Sequence, residues 1–454
     1  MAHNAYFPER ELRMTKANRD GLYFVLLGIA AFLLIGSALE NAAPVSTVDF
    51  RVVYYSARCI LKHHDPYLES ELQHIYQTEG GETAFDTPTI RRTEMRYNYL
   101  PTAFFLTVPF AVLPFWPAHI LWLTLTAGSF ILASLLMWNI GEKHAPVLSG
   151  GLVFLLLANG ELFLVLGNPA GIAVSLCVIA VWCFVSERLV PVGVVCLAVS
   201  LMLKPHDAGL VWLYFLLAGR VNRKRALSTL LVAVVLSLPA ILWITDISPH
   251  WAQELHANLI AYSAHGDIND PGPASMAAHG IGMIISLQTI MSIFRDDPRF
   301  YNPATYLVCG ALLVIWLVKT VRSDFTPERT WFALAPIAAL SMLPIYHRIY
   351  DAKLLLLTIP ACAMLWEEGG PIAWVAILVN SGGILLTGGI PWAIFLQLIK
   401  FLHLSKVGLS DQLTIYLQVL PVPLILLVIG VFYLLVYVSR TTEGADVRST
   451  VVAL

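Results

Sequence analysis

Charge is what this chain has least of. Only 13% of its 454 residues are Asp, Glu, Lys or Arg, about half the share found in a soluble domain. A basic surplus is also missing. The 28 Lys and Arg face 30 Asp and Glu, for a net charge of −2, so nucleic acid is not an expected partner. Cysteine motifs are absent. Cys59, Cys177, Cys183, Cys196, Cys309 and Cys362 show no CxxC and no Cys/His ligand spacing. Five of them lie in apolar segments and read as small buried hydrophobes, and only Cys59 stands in a polar stretch. Among His63, His64, His74, His256, His265 and His279 no two share a helical face beside a carboxylate. No metal site or cofactor is therefore expected, with a divalent ion left open. No internal repeat relates the two halves, and the last residues carry no lipidation signal. The N-terminal region does not read as a cleavable signal: its charged tail is long, and Gly21–Leu39 is long enough to span a bilayer.

What is present is apolar. With 57% hydrophobic residues and a mean hydropathy of +0.71, the sequence predicts an all-α polytopic membrane protein. Arg10, Arg13, Lys16 and Arg19 precede the first span and set the N-terminus in the cytoplasm, so Asp49 emerges on the outer face. Gly219–Arg225, with four basic residues, should also be cytoplasmic. Glu142-Lys143 and Glu187-Arg188 then fall inside only if the short, proline-punctuated stretch Leu100–Pro114 does not cross, which makes it an interfacial or re-entrant helix.

After Gly21–Leu39 the expected spans are Ala118–Asn139, Val147–Leu166, Gly171–Val185, Val190–Leu203, Ala208–Leu217 and Ala226–Ile244. Tyr301–Val318, Trp331–Leu343, Tyr350–Trp366, Ile372–Leu386 and Gln412–Val438 follow. That is about twelve spans with both termini inside. The division is a cytoplasmic tail at 1–20, one transmembrane domain at 21–439 with outer loops at about 40–117 and 246–300, and a polar tail at 440–454 expected to be disordered. Val190–Leu203 and Ala208–Leu217 are shorter than a bilayer and read as half-buried helices bending around Lys204-Pro205-His206-Asp207. Ile390–His403 reads as another interfacial helix, and Ser275–Phe294 as an amphipathic piece of the second outer loop.

On this topology the unusual polar residues collect at the outer ends of spans. They are Asp49, Gly167-Asn168-Pro169, Lys204–Asp207 and the run Tyr346–Lys353. Inserting an ionisable group costs on the order of 2.5–3.5 kcal/mol, so each is a functional candidate. Each also has a local structural reading. Ser46 with Asp49 three residues on approximates a capping box. Lys204 and Lys353 can snorkel to headgroups, and Asn168 can cap the helix entered at Pro169. Arg348 can pair with Asp351 along a helix. Four clusters landing on one face, three of them in short connections, favour function.

These residues carry a resemblance. Asp49-Phe50 follows the first span, and Pro66-Tyr67 comes about seventeen residues later. Tyr97-x-Tyr99-x-Pro101, Gly167-Asn168, Lys204-Pro205 and Tyr346-His347-x-x-Tyr350-Asp351 follow in order. Over roughly Gly21–Trp366 this pattern resembles glycosyltransferase family 87, the polyprenyl-phosphate-mannose-dependent mannosyltransferases of the GT-C class. Gly167-Asn168 stands where that family has Gly-Gln, and Tyr99-Leu100-Pro101 where it has Tyr-Pro-Pro.

The resemblance implies a GT-C-like bundle in a bacterial cytoplasmic membrane, with its active site on the periplasmic face. It implies inverting transfer of a sugar, mannose first among candidates, from a polyprenyl-phosphate carrier to a lipid or glycan acceptor. Asp49 would be the general base. Lys204, Arg348 and His347 would hold the donor phosphate. Tyr97, Tyr99, Asn168, Tyr346, Tyr350 and Asp351 would bind sugar or acceptor. Two other classes fit a chain with this many spans: a transporter or flippase of lipid-linked sugars, and a non-catalytic subunit of an envelope-assembly complex.

Overall fold

The computed structural model describes residues 15–42, 46–79, 96–275, 284–391, 394 and 419–452, with side chains as far as Arg440. Among the described residues the regular structure is helical, and one isolated antiparallel bridge joins Ile284 to Arg348. Seven runs are long and apolar enough to cross a membrane. They are Lys16–Ala42, Phe115–Gly141, Pro146–Leu166, Gly219–Ile247, Pro298–Arg322, Ile349–Glu368 and Pro421–Arg440. The protein is an all-α, multi-pass membrane protein.

Seven is fewer than the twelve spans expected, and the difference is length. The other five apolar stretches form helices of 16, 14, 13, 14 and 17 residues: Ala170–Val185, Val190–Leu203, Pro205–Leu217, Pro327–Leu340 and Gly370–Leu386. At 1.5 Å per residue these reach about 20–25 Å, short of a hydrocarbon layer of about 30 Å. Val190–Leu203 ends where the sequence predicts. Pro205 pushes Lys204 out of the helical region, to φ −144°, ψ 84°.

Helices that are apolar all round go to the centre of the bundle. Ala170–Val185 and Pro327–Leu340 are buried almost throughout, and 94% of the most apolar stretch of Ile349–Glu368 is buried. The flanking helices instead turn an apolar face outward. In the most apolar stretches of Lys16–Ala42 and Pro298–Arg322 only 22% of residues are buried, with Leu34 and Leu307 more than 70% exposed, as a lipid-facing surface requires. Lys16–Ala42 lies along Pro146–Ala158, and glycines set the approach. A Cβ on Gly150 would stand 2.3 Å from the Gly21 carbonyl oxygen, and one on Gly21 2.4 Å from that of Pro146.

One group of ion pairs gathers at one end of the bundle. Arg225 reaches Glu187, His144 reaches Glu367, and Arg440 reaches Glu368. Lys143, His144, Arg188 and Glu328 line one shared cavity there. Gly21, packed on Pro146, brings the basic start of the first helix to the same end. Asp49 and Tyr99 lie at the other end, and so does all of the 101–113 stretch. It begins where Thr102 Oγ1 donates to the Met202 carbonyl (2.6 Å) and finishes where Tyr54 Oη donates to that of Leu113 (2.8 Å). Its helix, Phe104–Ala111, is 8 residues long. The stretch therefore stays at one end, as the charge-parity argument requires.

Two features differ from expectation. The last helix runs from Pro421 to Val452, so the tail from Arg440 continues a helix. Beyond Arg440 no proline interrupts it, and the one glycine there, Gly444, costs only about 1 kcal/mol. Cys59 is buried within the helix Val48–Leu61. Arg10, Arg13 and Ile390–His403 fall largely outside the described residues, and of Ser275–Phe294 only Leu287–Phe294 is seen as a helix.

Candidate active site

Asp49 sits in the first turn of Val48–Leu61, and the capping box is not formed. The residue before that helix is Thr47, in the left-handed region at φ 58°, and no side chain caps the end. Thr47 is held by its N–H, which donates to the Val165 carbonyl at 2.6 Å. The Asp49 carboxylate is thereby free to face Asn168, whose Nδ2 donates to Asp49 Oδ2 at 2.7 Å. Burial pushes the Asp49 carboxyl above the usual carboxylate range, against the opposing pull of the Asn168 hydrogen bond and the charges of Arg348 and Lys204.

Asn168 performs both of the roles open to it. Its Oδ1 accepts from the Ala170 N–H at 2.8 Å, capping the helix that follows. That bond fixes the amide orientation and aims Nδ2 at three oxygens: Asp49 Oδ2, Tyr350 Oη at 2.9 Å and Tyr99 Oη at 3.3 Å. Gly167 sets the turn that delivers it. Its φ is +64°, and a Cβ there would meet Phe50 Cβ at 2.8 Å. Trp122 Nε1 closes the turn by donating to the Gly167 carbonyl at 2.8 Å. Gly167→Ala should therefore act at a distance. The left-handed conformation costs an alanine about 1–2 kcal/mol, and the added methyl pushes Asn168 away from Asp49. Thermal unfolding in detergent should show the first effect. Loss of turnover well beyond the loss of folded protein should show the second, because misplacement by about 1 Å can cost about 100-fold.

Lys204 does not snorkel. Its side chain is 6% exposed, Nζ donates to Asp351 Oδ1 at 2.7 Å, and it lies over the Tyr350 ring at 5.1 Å. Lys353 also turns inward, donating to the Thr387 carbonyl at 2.9 Å. Arg348 and Asp351 do not pair through side chains. The Arg348 backbone N–H donates to Asp351 Oδ2 at 2.8 Å, and the guanidinium goes elsewhere. Nε donates to Tyr346 Oη, and Nη2 to Asn269 Oδ1 at 3.0 Å. Among the described residues no carboxylate lies within ion-pair distance of this guanidinium. A cation held by neutral oxygens is a cation left available to an anion.

Asp49, Tyr99, Asn168, Lys204, Tyr346, Arg348 and Tyr350 line one cavity of about 220 Å³. Four clusters separated by up to 300 residues meet there. Three candidates do not reach it. Asp351 is behind Lys204. Tyr97 is fully buried and stacks on Phe104, with ring centroids 4.8 Å apart. His347 is also fully buried, with Nε2 3.2 Å from Asp207 Oδ1. Tyr346 and Arg348 line the cavity, while His347 between them faces away, at a point where the Arg348 backbone is extended and bridges Ile284.

The cavity also takes His206, from the singled-out Lys204–Asp207 run, and four residues that sequence reasoning missed: Arg96, Asn98, Tyr262 and Asn269. Arg96 and Asn98 alternate with the tyrosines, so a signal was present for these. Tyr262 and Asn269 come from the second outer loop, which is tied to the first. Asn258 Nδ2 donates to the Tyr67 and Tyr97 carbonyls (2.9 and 3.1 Å), and Tyr262 Oη to that of Arg96 (2.8 Å). No protein-family model, curated protein or solved structure matches this chain.

Proposed function

We propose that this protein is a membrane-embedded inverting glycosyltransferase, moving a sugar from a polyprenyl-phosphate carrier to a lipid or glycan acceptor at the outer membrane face. Mannose is the first candidate sugar. The reading combines the motif resemblance to glycosyltransferase family 87 and its GT-C-like bundle of about twelve spans with one structural observation that carries it. A carboxylate and two cations, Asp49, Lys204 and Arg348, line the same cavity at the end of the bundle opposite the basic start of the first helix and the Arg220–Arg225 segment. By the positive-inside rule that end faces outward, which in a bacterium is the periplasmic side of the cytoplasmic membrane.

The chemistry follows from the residues. The acceptor hydroxyl loses its proton to Asp49 as its oxygen attacks the anomeric carbon, and the carbon–oxygen bond to phosphate breaks on the opposite face. Asn168, bonded to Asp49 Oδ2, holds the carboxylate in place and leaves Oδ1 for the proton. Charge grows on the departing polyprenyl phosphate. Arg348 offers its unpaired guanidinium edge, and Lys204 adds a point charge. Tyr99, Tyr346 and Tyr350 supply ring faces and hydroxyls for the sugar. Val52, Leu259 and Ile268 form the apolar part of the lining, the side on which a polyprenyl tail would leave toward lipid.

Purified protein incubated with a polyprenyl-phosphate sugar and a lipid acceptor extract should release polyprenyl phosphate. Movement of the intact donor across proteoliposomes without release would identify a flippase instead, and neither activity would leave an assembly subunit. Where release occurs, kcat/KM should have an acid limb. Only ionised Asp49 accepts a proton, so activity is full above its pKa and falls as pH drops through it. Burial raises that pKa, so the limb lies above the pH at which a free aspartate titrates, about 3.9. A limb at or below that value would remove Asp49 as its source.

A further inference from the structure

Behind the cavity wall, one ring nitrogen each of His206 and His347 and an Asp207 carboxylate oxygen all lie within 4.8 Å of one another. Asp207 and His347 are 1% and 0% exposed. Both carboxylate oxygens of Asp207 and the Nε2 atoms of both histidines are buried without a hydrogen-bond partner. Buried polar atoms without partners cost about 1–3 kcal/mol each, and here four of them belong to one cluster of three side chains. We infer that His206, Asp207 and His347 form a binding site for a first-row divalent cation.

The tautomer of His347 supports this. Its Nδ1 faces the Ile345 carbonyl oxygen at 3.2 Å, a favourable contact only if Nδ1 carries the proton. In the neutral ring Nε2 is then a bare lone pair, and it points at Asp207 Oδ1 from 3.2 Å. Two acceptors facing each other at that distance need a positive centre between or beside them, either a second proton on the ring or a metal ion. Metal-binding histidines take this same arrangement, with the outer ring N–H donated to a backbone carbonyl. His206 completes the set, with Nε2 3.8 Å from the same Asp207 oxygen and its ring edge-on to that of His347. Ligands bound at about 2.1 Å in a tetrahedron stand about 3.4 Å apart, so His206 is the member that has to close in on Asp207.

Lys204 does not fill this role. Its Nζ is 4.0 Å from Asp207 Oδ2, beyond hydrogen-bond reach, and is committed to Asp351. Three carboxylates (Asp49, Asp207, Asp351) share two cations (Lys204, Arg348), because Arg96 is taken by Glu69 at 2.9 Å. With neutral imidazoles the network has an uncompensated negative charge. Two imidazoles and one carboxylate suit Zn²⁺, Co²⁺ or Mn²⁺ and leave coordination positions open. His206 also lines the cavity, so an ion held there has a route in and faces whatever anion the cavity binds. The site rests on this geometry and not on the proposed reaction.

The test is Co²⁺ titration of the full-length protein, washed with EDTA, in detergent. About one equivalent should bind with ligand-field absorption. Asp207→Asn and His347→Gln should each weaken it by more than the roughly 10–100-fold that loss of an outer-shell partner costs. His265→Ala, at the exposed group formed with Asp270 and Asp296, should leave it unchanged. Absence of ligand-field bands in the parent protein would overturn the site, as would parent-like binding in folded Asp207→Asn and His347→Gln. Should both variants fail to fold, the parent alone decides. Mn²⁺ bound to it should show nitrogen couplings from two imidazoles by pulsed EPR, and an oxygen-only spectrum would overturn the assignment.

Discussion

Asp49→Asn should lower sugar transfer by about two to four orders of magnitude, the usual worth of a positioned base, while the protein still folds and holds its donor. The contacts of Asp49 make this substitution unusually clean. Its carboxylate caps no helix end, and its hydrogen bond is one accepted from Asn168 Nδ2. An asparagine at 49 can turn its own carbonyl oxygen to Asn168 and keep that bond. Its NH₂ then faces the cavity, where it cannot accept a proton. Arg348 and Lys204, which would hold the phosphate, keep all of their contacts. The KM for donor should therefore stay near that of the parent while kcat falls, the pattern of an interaction made only in the transition state. Near-normal kcat in a well-folded Asp49→Asn protein would take the base out of the mechanism, and with it the main reason for reading the chain as an enzyme.

The parts of this site legible in the sequence are those decided by local rules. Pro205 forces the break at Lys204, and short length keeps Phe104–Ala111 at one end. Polar residues where apolar ones are cheaper mark Asp49, Asn168 and Arg348, and all three line the cavity. What local rules cannot see is the partner. Lys204 finds Asp351 147 positions away, and Arg348 finds Asn269 79 positions away. Without those partners snorkelling and a local ion pair are the natural readings, and both are wrong here. His347 lies off the cavity for a different reason. The run Tyr346–Lys353 reads as one polar unit, but its backbone is extended at Arg348 and enters a ten-residue 3₁₀ helix at Ile349. Tyr346 and Arg348 line the cavity, and the residue between them faces away. The metal-type cluster escaped because its three members come from two stretches some 140 residues apart, and no spacing rule joins them.

Lys204→Met should cost both stability and donor use, and a second substitution should separate the two. Removing Lys204 strands Asp351, 1% exposed, with only the Arg348 backbone N–H on its other oxygen. Losing one partner of a buried pair costs about 3–5 kcal/mol, so the single variant should unfold at visibly lower temperature. In Lys204→Met/Asp351→Asn the stranded charge is gone and the amide can still accept from Arg348 N–H, so most of that stability should return. Donor use should not. If Lys204 Nζ also faces the phosphate, its loss removes a desolvated charge contact worth about 2–5 kcal/mol, roughly thirty-fold to several thousand-fold in kcat/KM for the polyprenyl-phosphate sugar. Unfolding curves and donor kinetics on the two variants read these effects independently. A double variant that regains stability and parent-like donor kinetics together would make Lys204 a structural counter-ion of Asp351, leaving Arg348 alone to hold the phosphate.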